Sequence, residues 1–319
     1  MIDSTGESIH RTVLASETVR MLNIRDNAIY GDVTLGMGGH TEAILQANET
    51  VRVIGIDQDE AALGIAGERL KPFGERAILV RSNFSQLRPV LESLEIDTLN
   101  GIVADLGVSS LQLDSEERGF SFRYDAPLDM RMDASAATPT AAELLESLSE
   151  VEIADIVYRY GEERFSRRIA RRIVERREAG TPVKTTKDLA GLVERSVKRN
   201  PKDKIHPATR TFQALRIAVN GELEILERFL KDGVDSLKTD GRFAVISFHS
   251  LEDRIVKQTF QRLAGKCFCP PRMPQCICGA VKKIEIVTRK PITPGDDEIE
   301  QNPRSRSAKL RVARRIADQ

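Results

Sequence analysis

The chain has 319 residues, with 48 Lys or Arg against 48 Asp or Glu and 40% hydrophobic residues. That length buries a full core and suits one large or two modest domains, and zero net charge excludes a global field for nucleic acid or anionic membrane, so any such signal must be local. The start, Met1-Ile2-Asp3-Ser4-Thr5-Gly6-Glu7, lacks an apolar targeting core, no later stretch is apolar enough to span a bilayer, and the four cysteines all lie between Cys267 and Cys278; a soluble, cytoplasmic protein without a disulfide framework is expected.

In chain order, residues 17–22 suit a short helix packed under a first strand through Ala28, Ile29, Tyr30 and Val33. The strand enters Gly36-Met37-Gly38-Gly39-His40, and a helical stripe with Ile44 and Leu45 begins near Thr41. Glycines at a strand-to-helix turn let backbone N–H groups approach a ligand, and the helix start adds favourable partial charge; the same turn also serves plain chain reversal. Arg52–Asp57 reads as the second strand, and Asp57 stands 18 residues beyond Gly39. That is near the spacing at which an acid bonds a ribose diol, while an N-cap for the helix at 59–70 is the competing role. A third strand at 77–80 leaves through Asn83-Phe84-Ser85, and a fourth at 98–106 ends near Asp105. In an open parallel sheet, ligands bind at the carboxyl ends of the strands, so Gly38, Asp57, Phe84 and Asp105 are expected to converge there.

The strand–helix rhythm then stops. Residues 119–123 and 128–133 read as ordered loop, and helical patterns dominate 141–230, as in an inserted helical subdomain. Phe165, Ile169 and Ile173 share one helix face while Arg164, Arg167, Arg168 and Arg171 project elsewhere. Between Gly161 and Asn220 there are 16 Lys or Arg against 7 Asp or Glu, and residues 301–319 carry 6 against 1. Such local excess favours a nucleic-acid partner over a merely solvated face. A fifth strand at 241–247 precedes Ser250 and Asp253, spaced as a capping box, and 284–288 and 309–316 supply two last strands, the second a candidate for antiparallel pairing. The expected division is a core from 1–112, a mostly helical RNA-recognition insertion from 113–212, and the rest of the core from 213–319 with a basic tail. Cys267, Cys269, Cys276 and Cys278 form two C-x-C pairs across a Pro-rich turn, which suits either a structural zinc clasp or plain reduced thiols; no metal is assigned to the pocket at the strand ends.

An acid after the second strand suits NAD or S-adenosylmethionine, both of which present an adenosine ribose. Gly36-Met37-Gly38-Gly39-His40 lacks the third glycine of G-x-G-x-x-G, which disfavours NAD. A dehydrogenase and a non-catalytic ribosome-assembly factor with a vestigial pocket are the competing functions.

Together, segments 10–14, 30–40, 105–112, 117–122, 128–133, 160–165, 206–214, 246–254 and 302–307 resemble, in order, the bacterial 16S ribosomal RNA cytosine N4-methyltransferases. The resemblance implies an α/β, class I S-adenosylmethionine-dependent methyltransferase fold: Rossmann-like, with a seven-stranded, mostly parallel sheet and an inserted helical subdomain. It also implies S-adenosylmethionine as donor and a cytidine in the decoding centre of 16S ribosomal RNA, within the small ribosomal subunit, as acceptor. Donor contacts carried over by position are Gly38, Gly39, His40, Asp57, Phe84, Asp105 and Gln112. Cytosine N4 is a poor nucleophile, so the enzyme must align it with the methyl group and accept hydrogen bonds from the amine as it becomes cationic. Asp105 is the candidate acceptor and catalytic residue; holding the donor's methionine end is its competing role. Methylation at C5 would need a ring-attacking thiol, and the thiols are remote in sequence from Asp105. Asp105-Leu106-Gly107-Val108 departs from the acid-or-Asn, Pro, Pro, aromatic run of many amine methylases, which leaves open the group that contacts N4.

Overall fold

Seven strands in the order β3-β2-β1-β4-β5-β7-β6 form one sheet in the computed structural model, which describes residues 12–135, 137–197, 206–269, 277 and 280–317. The strands are β1 (Ile29–Asp32), β2 (Arg52–Asp57), β3 (Ala77–Arg81), β4 (Leu99–Asp105), β5 (Leu237–Ser247), β6 (Ile284–Ile286) and β7 (Lys309–Arg315). The first five pair in parallel; β7 runs antiparallel to both β5 and β6. This is the expected class I arrangement, and the strand order reverses between β1 and β4.

Internal contacts divide the chain into two units, residues 1–107 with 223–319, and residues 108–222. In the first unit, helices α1 (Ala15–Leu22), α2 (Gly39–Ala47), α3 (Glu60–Leu70), α4 (Leu87–Ser93), α11 (Glu222–Asp235), α12 (Ser250–Leu263) and α13 (Asp296–Gln301) accompany the sheet. Strand side chains alternate between two cores. Ile54, Ile102, Phe243 and Val245 pack with Leu226, Phe229 and Phe260 on one face, while Tyr30, Val53, Val103 and Val312 pack with Leu22, Ile44 and Leu70 on the other. A sheet covered on both faces needs apolar residues at successive positions, which is why these strands read as near-continuous β-branched runs.

The second unit holds α5 (Ser110–Asp114), α6 (Ala141–Ser147), α7 (Glu150–Gly161), α8 (Ser166–Glu178), α9 (Thr186–Ser196) and α10 (Thr209–Asn220). Thr140 with Glu143 and Ser149 with Glu152 form capping boxes at α6 and α7. The boundary placed at 212/213 from sequence falls inside α10, whose Phe212, Leu215 and Val219 belong to the helical unit's core. The loop segments 117–122 and 128–133 are tied down here. Asn220 Nδ2 donates to Met130 O and its Oδ1 accepts from Met132 N, each at 2.8 Å, while Arg118 donates to Arg131 O and Met132 O. Gly119 has φ +72°, and a Cβ there would collide with Pro127 O.

Two sequence readings are corrected. The capping box at α12 is His249 with Glu252, one residue before the Ser250–Asp253 pair, because the chain leaves β5 at Ser247 and His249 keeps an extended backbone. Asp253 instead meets Arg311 Nε at 2.6 Å and Lys309 Nζ at 3.3 Å. The charge of 301–319 is no loose basic tail: Lys309, Arg311, Arg314 and Arg315 lie in β7 and pair with Asp253, Asp240, Glu285 and Asp235. Cys276 and Cys278 lie outside the described residues; Cys269 N donates to Cys267 Sγ at 3.4 Å.

Candidate active site

Three neighbouring strands each end in aspartate: Asp32 on β1, Asp57 on β2 and Asp105 on β4. The glycine loop crosses between them at the strand-order reversal, where open α/β sheets bind ligands. It is pinned from both sides. Gly36 N donates to Asp57 Oδ2 at 2.8 Å, and Thr34 Oγ1 accepts from Asp105 N at 2.6 Å.

Gly38 is the N-cap of α2 with φ +80°, a left-handed conformation that suits glycine. No side chain caps that helix start, so its first amides keep their capacity for an anion. Gly39 is required for a different reason than ligand approach, because a Cβ there would collide with Thr12 Oγ1. His40 follows, 5% exposed, with Nε2 3.6 Å from Asp105 Oδ2. Burial alone would lower the imidazole's pKa, but Asp105, then Asp32 and Glu298, raise it above its ordinary value.

Asp57 serves the loop as well as facing the site edge. Its Oδ1 accepts from Asp59 N at 2.9 Å, and burial raises its pKa against those hydrogen bonds. It is not the N-cap of α3; Asp59 is, accepting from Ala61 N. Phe84 follows β3 and is half-buried, with its ring edge-packed on Phe229 at 4.9 Å between centroids. Asn83 beside it donates to Gln58 Oε1 at 2.8 Å, which ties the end of β3 to the end of β2. Gln112 belongs to the helical unit, where its side-chain oxygen accepts from Ser109 N in the capping box of α5.

Asp32 is the site residue that sequence reasoning missed. It is fully buried, its Oδ2 accepts from Thr41 Oγ1 at 2.8 Å, and burial raises its pKa. The available signal was positional: it ends its strand as Asp57 and Asp105 end theirs. Asp32 Oδ1, both ring nitrogens of His40 and Asp105 Oδ1 are buried without a hydrogen-bond partner among the described residues. Most buried polar atoms in folded proteins are hydrogen-bonded, and a polar ligand is one partner that these atoms could take. Two imidazole nitrogens and two carboxylate oxygens match a group carrying both a carboxylate and an ammonium.

The described residues contain no helix long and apolar enough to cross a membrane. A family model described as the MraW methylase family matches residues 7–316. A protein named ribosomal RNA small subunit methyltransferase H from Geotalea daltonii is 50% identical over 309 residues, covering 96% of this chain and 98% of that one. One of the same name from Carboxydothermus hydrogenoformans is 48% identical over 311 residues, covering 98% and 99%. A solved rRNA methylase from Streptococcus thermophilus aligns at 10% identity with a TM-score of 0.43, covering 98% of this chain and 100% of that one. These matches support neither the dehydrogenase nor the non-catalytic assembly factor. With the family model spanning 7–316 and full-length relatives at half identity, the chain belongs to the MraW methylase family.

Proposed function

We propose that the protein transfers a methyl group from S-adenosylmethionine to the exocyclic N4 of a cytidine in the decoding centre of 16S ribosomal RNA. The observation that carries this reading is the group of unpartnered buried polar atoms on Asp32, His40 and Asp105, complementary to an amino-acid zwitterion, in a chain whose relatives are named ribosomal RNA small subunit methyltransferases. When bound, the sulfonium donor supplies an already activated methyl group and leaves as a thioether. The chain's residues then have to bind, orient and relieve charge. Asp57 retains lone-pair capacity for the ribose diol beyond its bonds to backbone amides. Phe84 flanks the adenine, and Gly38, Gly39 and His40 meet the donor's amino-acid end. Gln112 joins the donor contacts on the strength of the resemblance alone.

Asp105 has one oxygen beside His40, which leaves Oδ1 to accept from an amine. Accepting from the donor's ammonium is one role for that oxygen; accepting from the cytosine amine would be its catalytic role. Asp105→Asn separates the two. Loss mainly in donor Kd supports the first, and loss confined to kcat supports the second.

The RNA contact is assigned to the outer face of α8. Its other face buries Ile169, Ala170 and Ile173. Arg176 pairs with Asp188, Arg210 lies 3.8 Å from Glu163, Arg216 grips Glu222 through two bonds, and Arg177 caps the end of α6 through Leu145 O, Glu146 O and Leu148 O. Arg167 and Arg168 on α8, with Arg164 just before it, are exposed and make no ion pair among the described residues, which suits phosphate binding.

The test is incubation with methyl-labelled donor and small ribosomal subunits or free 16S RNA, followed by mass mapping of the RNA. Label on N4 of one cytidine is expected. Donor binding without transfer to any RNA overturns the enzymatic reading, and transfer to C5 overturns the choice of atom.

A further inference from the structure

Methyl transfer to an exocyclic amine needs the acceptor base held flat beside the donor, and an aromatic ring is the sequence-tolerant way to hold one. No aromatic residue stands immediately after β4, where the chain reads Asp105-Leu106-Gly107-Val108. The neighbouring strand brings one there. β4 and β5 pair up to Asp105 beside Ile246, and Leu106 N donates to Ile246 O at 2.9 Å. Two residues beyond that pair stand Gly107 on one chain and Phe248 on the other. Gly107 has φ +110°, which favours glycine, and a Cβ built there would lie 3.7 Å from Phe248 Cδ2. Apart from the chain neighbours, no other atom of the described residues comes within 4 Å of that position. The phenyl ring therefore borders open space two residues past Asp105.

Phe248 is held in place from two sides. It is half-buried against the core that contains Ala244, Ile246 and Leu310. Its N donates to Glu252 Oε2 at 2.9 Å, and His249 N donates to the same oxygen at 3.2 Å, with Glu252 itself buried in the first turn of α12. The carboxyl edge of the sheet thus carries two half-buried phenyl rings, Phe84 after β3 and Phe248 after β5, on opposite sides of the strand-order reversal. With the donor's adenine at Phe84 and its other contacts on β1 and β2, the edge of β4 and β5 is left for the acceptor.

We propose that Phe248 is the platform of the acceptor base: the target cytosine stacks on its ring beside Gly107, with the amine presented at the end of β4. The inference rests on the methyl-transfer reading above and adds a substrate contact to it. Gly107 has to be small because the base takes the space that a side chain would fill.

The test uses the full-length protein, methyl-labelled donor and undermethylated small ribosomal subunits. Phe248→Leu keeps an apolar contact without a ring, and Phe248→Tyr keeps the ring. Phe248→Leu is expected to lower kcat/KM for the subunit about ten- to a hundredfold, as for loss of one stacked base, with the donor's Kd within about twofold of the parent. Phe248→Tyr is expected to stay within about threefold of the parent in both, since stacking needs only the aromatic face. A phenyl that merely fills the core would give another pattern, a fall in Tm with a loss shared by donor binding and transfer. Transfer by Phe248→Leu at the parent's rate overturns the proposal, as does an equal loss in donor binding or a failure of Phe248→Tyr to retain the rate. Should Phe248→Leu not fold, Phe248→Met, close to Phe in volume and lacking a ring, takes its place with the same outcomes. If the parent protein transfers no label to RNA, the methyl-transfer reading fails; if it does and Phe248→Leu matches it, only this inference does.

Discussion

Asp57→Asn separates the two tasks of one carboxylate. Asp57 braces the glycine loop through Gly36 N and Asp59 N, at 2.8 and 2.9 Å, and by our reading accepts from the donor's ribose. In the Asn variant one oxygen remains and an NH2 group faces a backbone N–H, so one amide loses its acceptor. That costs about 1–3 kcal/mol of stability. In a unit of this size it lowers Tm by roughly 2–4 °C for each kcal/mol. The ribose bonds are a separate loss: replacing a charged acceptor costs about 1.5–3 kcal/mol, so the donor's Kd rises about ten- to a hundredfold. Asp59→Ala is the control, because it removes the cap of α3, costs about 1 kcal/mol, and leaves the donor's Kd unchanged. The pH dependences of the parent protein have opposite signs. Burial raises the pKa of Asp57, so its contribution to fold stability is present below its unfolded value and lost as pH rises through the folded one. Donor binding needs the ionised carboxylate and strengthens over that same rise. Calorimetry of unfolding and of donor binding on each variant reads both. If Asp57→Asn loses Tm as expected but binds the donor within about twofold of the parent, Asp57 serves the loop alone and the ribose assignment is wrong.

Gly39→Ala is expected to destabilise the protein through Thr12, and Thr12→Gly in the same chain should restore Tm; failure of that rescue would show that some other group crowds Gly39. Burial alone would raise the pKa of Asp253, but Arg311 and Lys309 hold it below the usual carboxylate range. Its stabilising contribution is therefore present above its unfolded value and lost as pH falls through the lowered one. Arg311→Met should flatten that acid limb in urea titrations from pH 2 to 6, and an unchanged limb refutes the pairing. Changing Arg164, Arg167 and Arg168 together to Ala should leave the donor's Kd unaltered and reduce the slope of log K for RNA against log salt by about 2, taking roughly 0.7 per phosphate on single-stranded RNA. An unaltered slope moves the RNA interface off α8.

The sheet was legible because a parallel strand buried on both faces has to be apolar at successive positions, and because Asp57, Phe84 and Asp105 follow such runs. Asp32 was harder to see: Gly31 and Val33 flank it, and in sequence it reads as part of the way into the glycine loop rather than as the strand's end. The end of β1 is fixed by pairing with β2 and β4, which is a long-range fact. The same limit explains α12. Both S-x-x-D and H-x-x-E fit the cap spacing there, and the choice follows from where β5 releases the chain, with Asp253 meeting Arg311 far along the chain. Charge counting failed in the same way at 301–319, where the acids that neutralise β7 come from β5, β6, α11 and α12.

Matching motifs in a family carry two kinds of constraint, and the structure sorts them. Segments 30–40 and 105–107 end at the carboxyl edge of the sheet and leave buried polar atoms unpartnered, as a ligand site does. Segments 117–122, 128–133 and 206–214 bond largely within the helical unit, although Thr211 Oγ1 is buried there without a hydrogen-bond partner among the described residues. Phe122 stacks on His206 at 4.4 Å and meets Phe212 edge-on at 5.1 Å, while His206 bonds Glu194 at 2.8 Å and accepts from Ala208 N. Arg131 is folded back on Asp129 through two bonds, and Asn220 closes the loop around Met130. A rigid unit is what an RNA-binding face on α8 requires, since phosphate contacts carry register only if the arginines are held at fixed spacing. By the reading proposed above, the motif residues of the helical unit would act on RNA at one remove, by fixing α8, whereas those of the sheet would act on the donor directly.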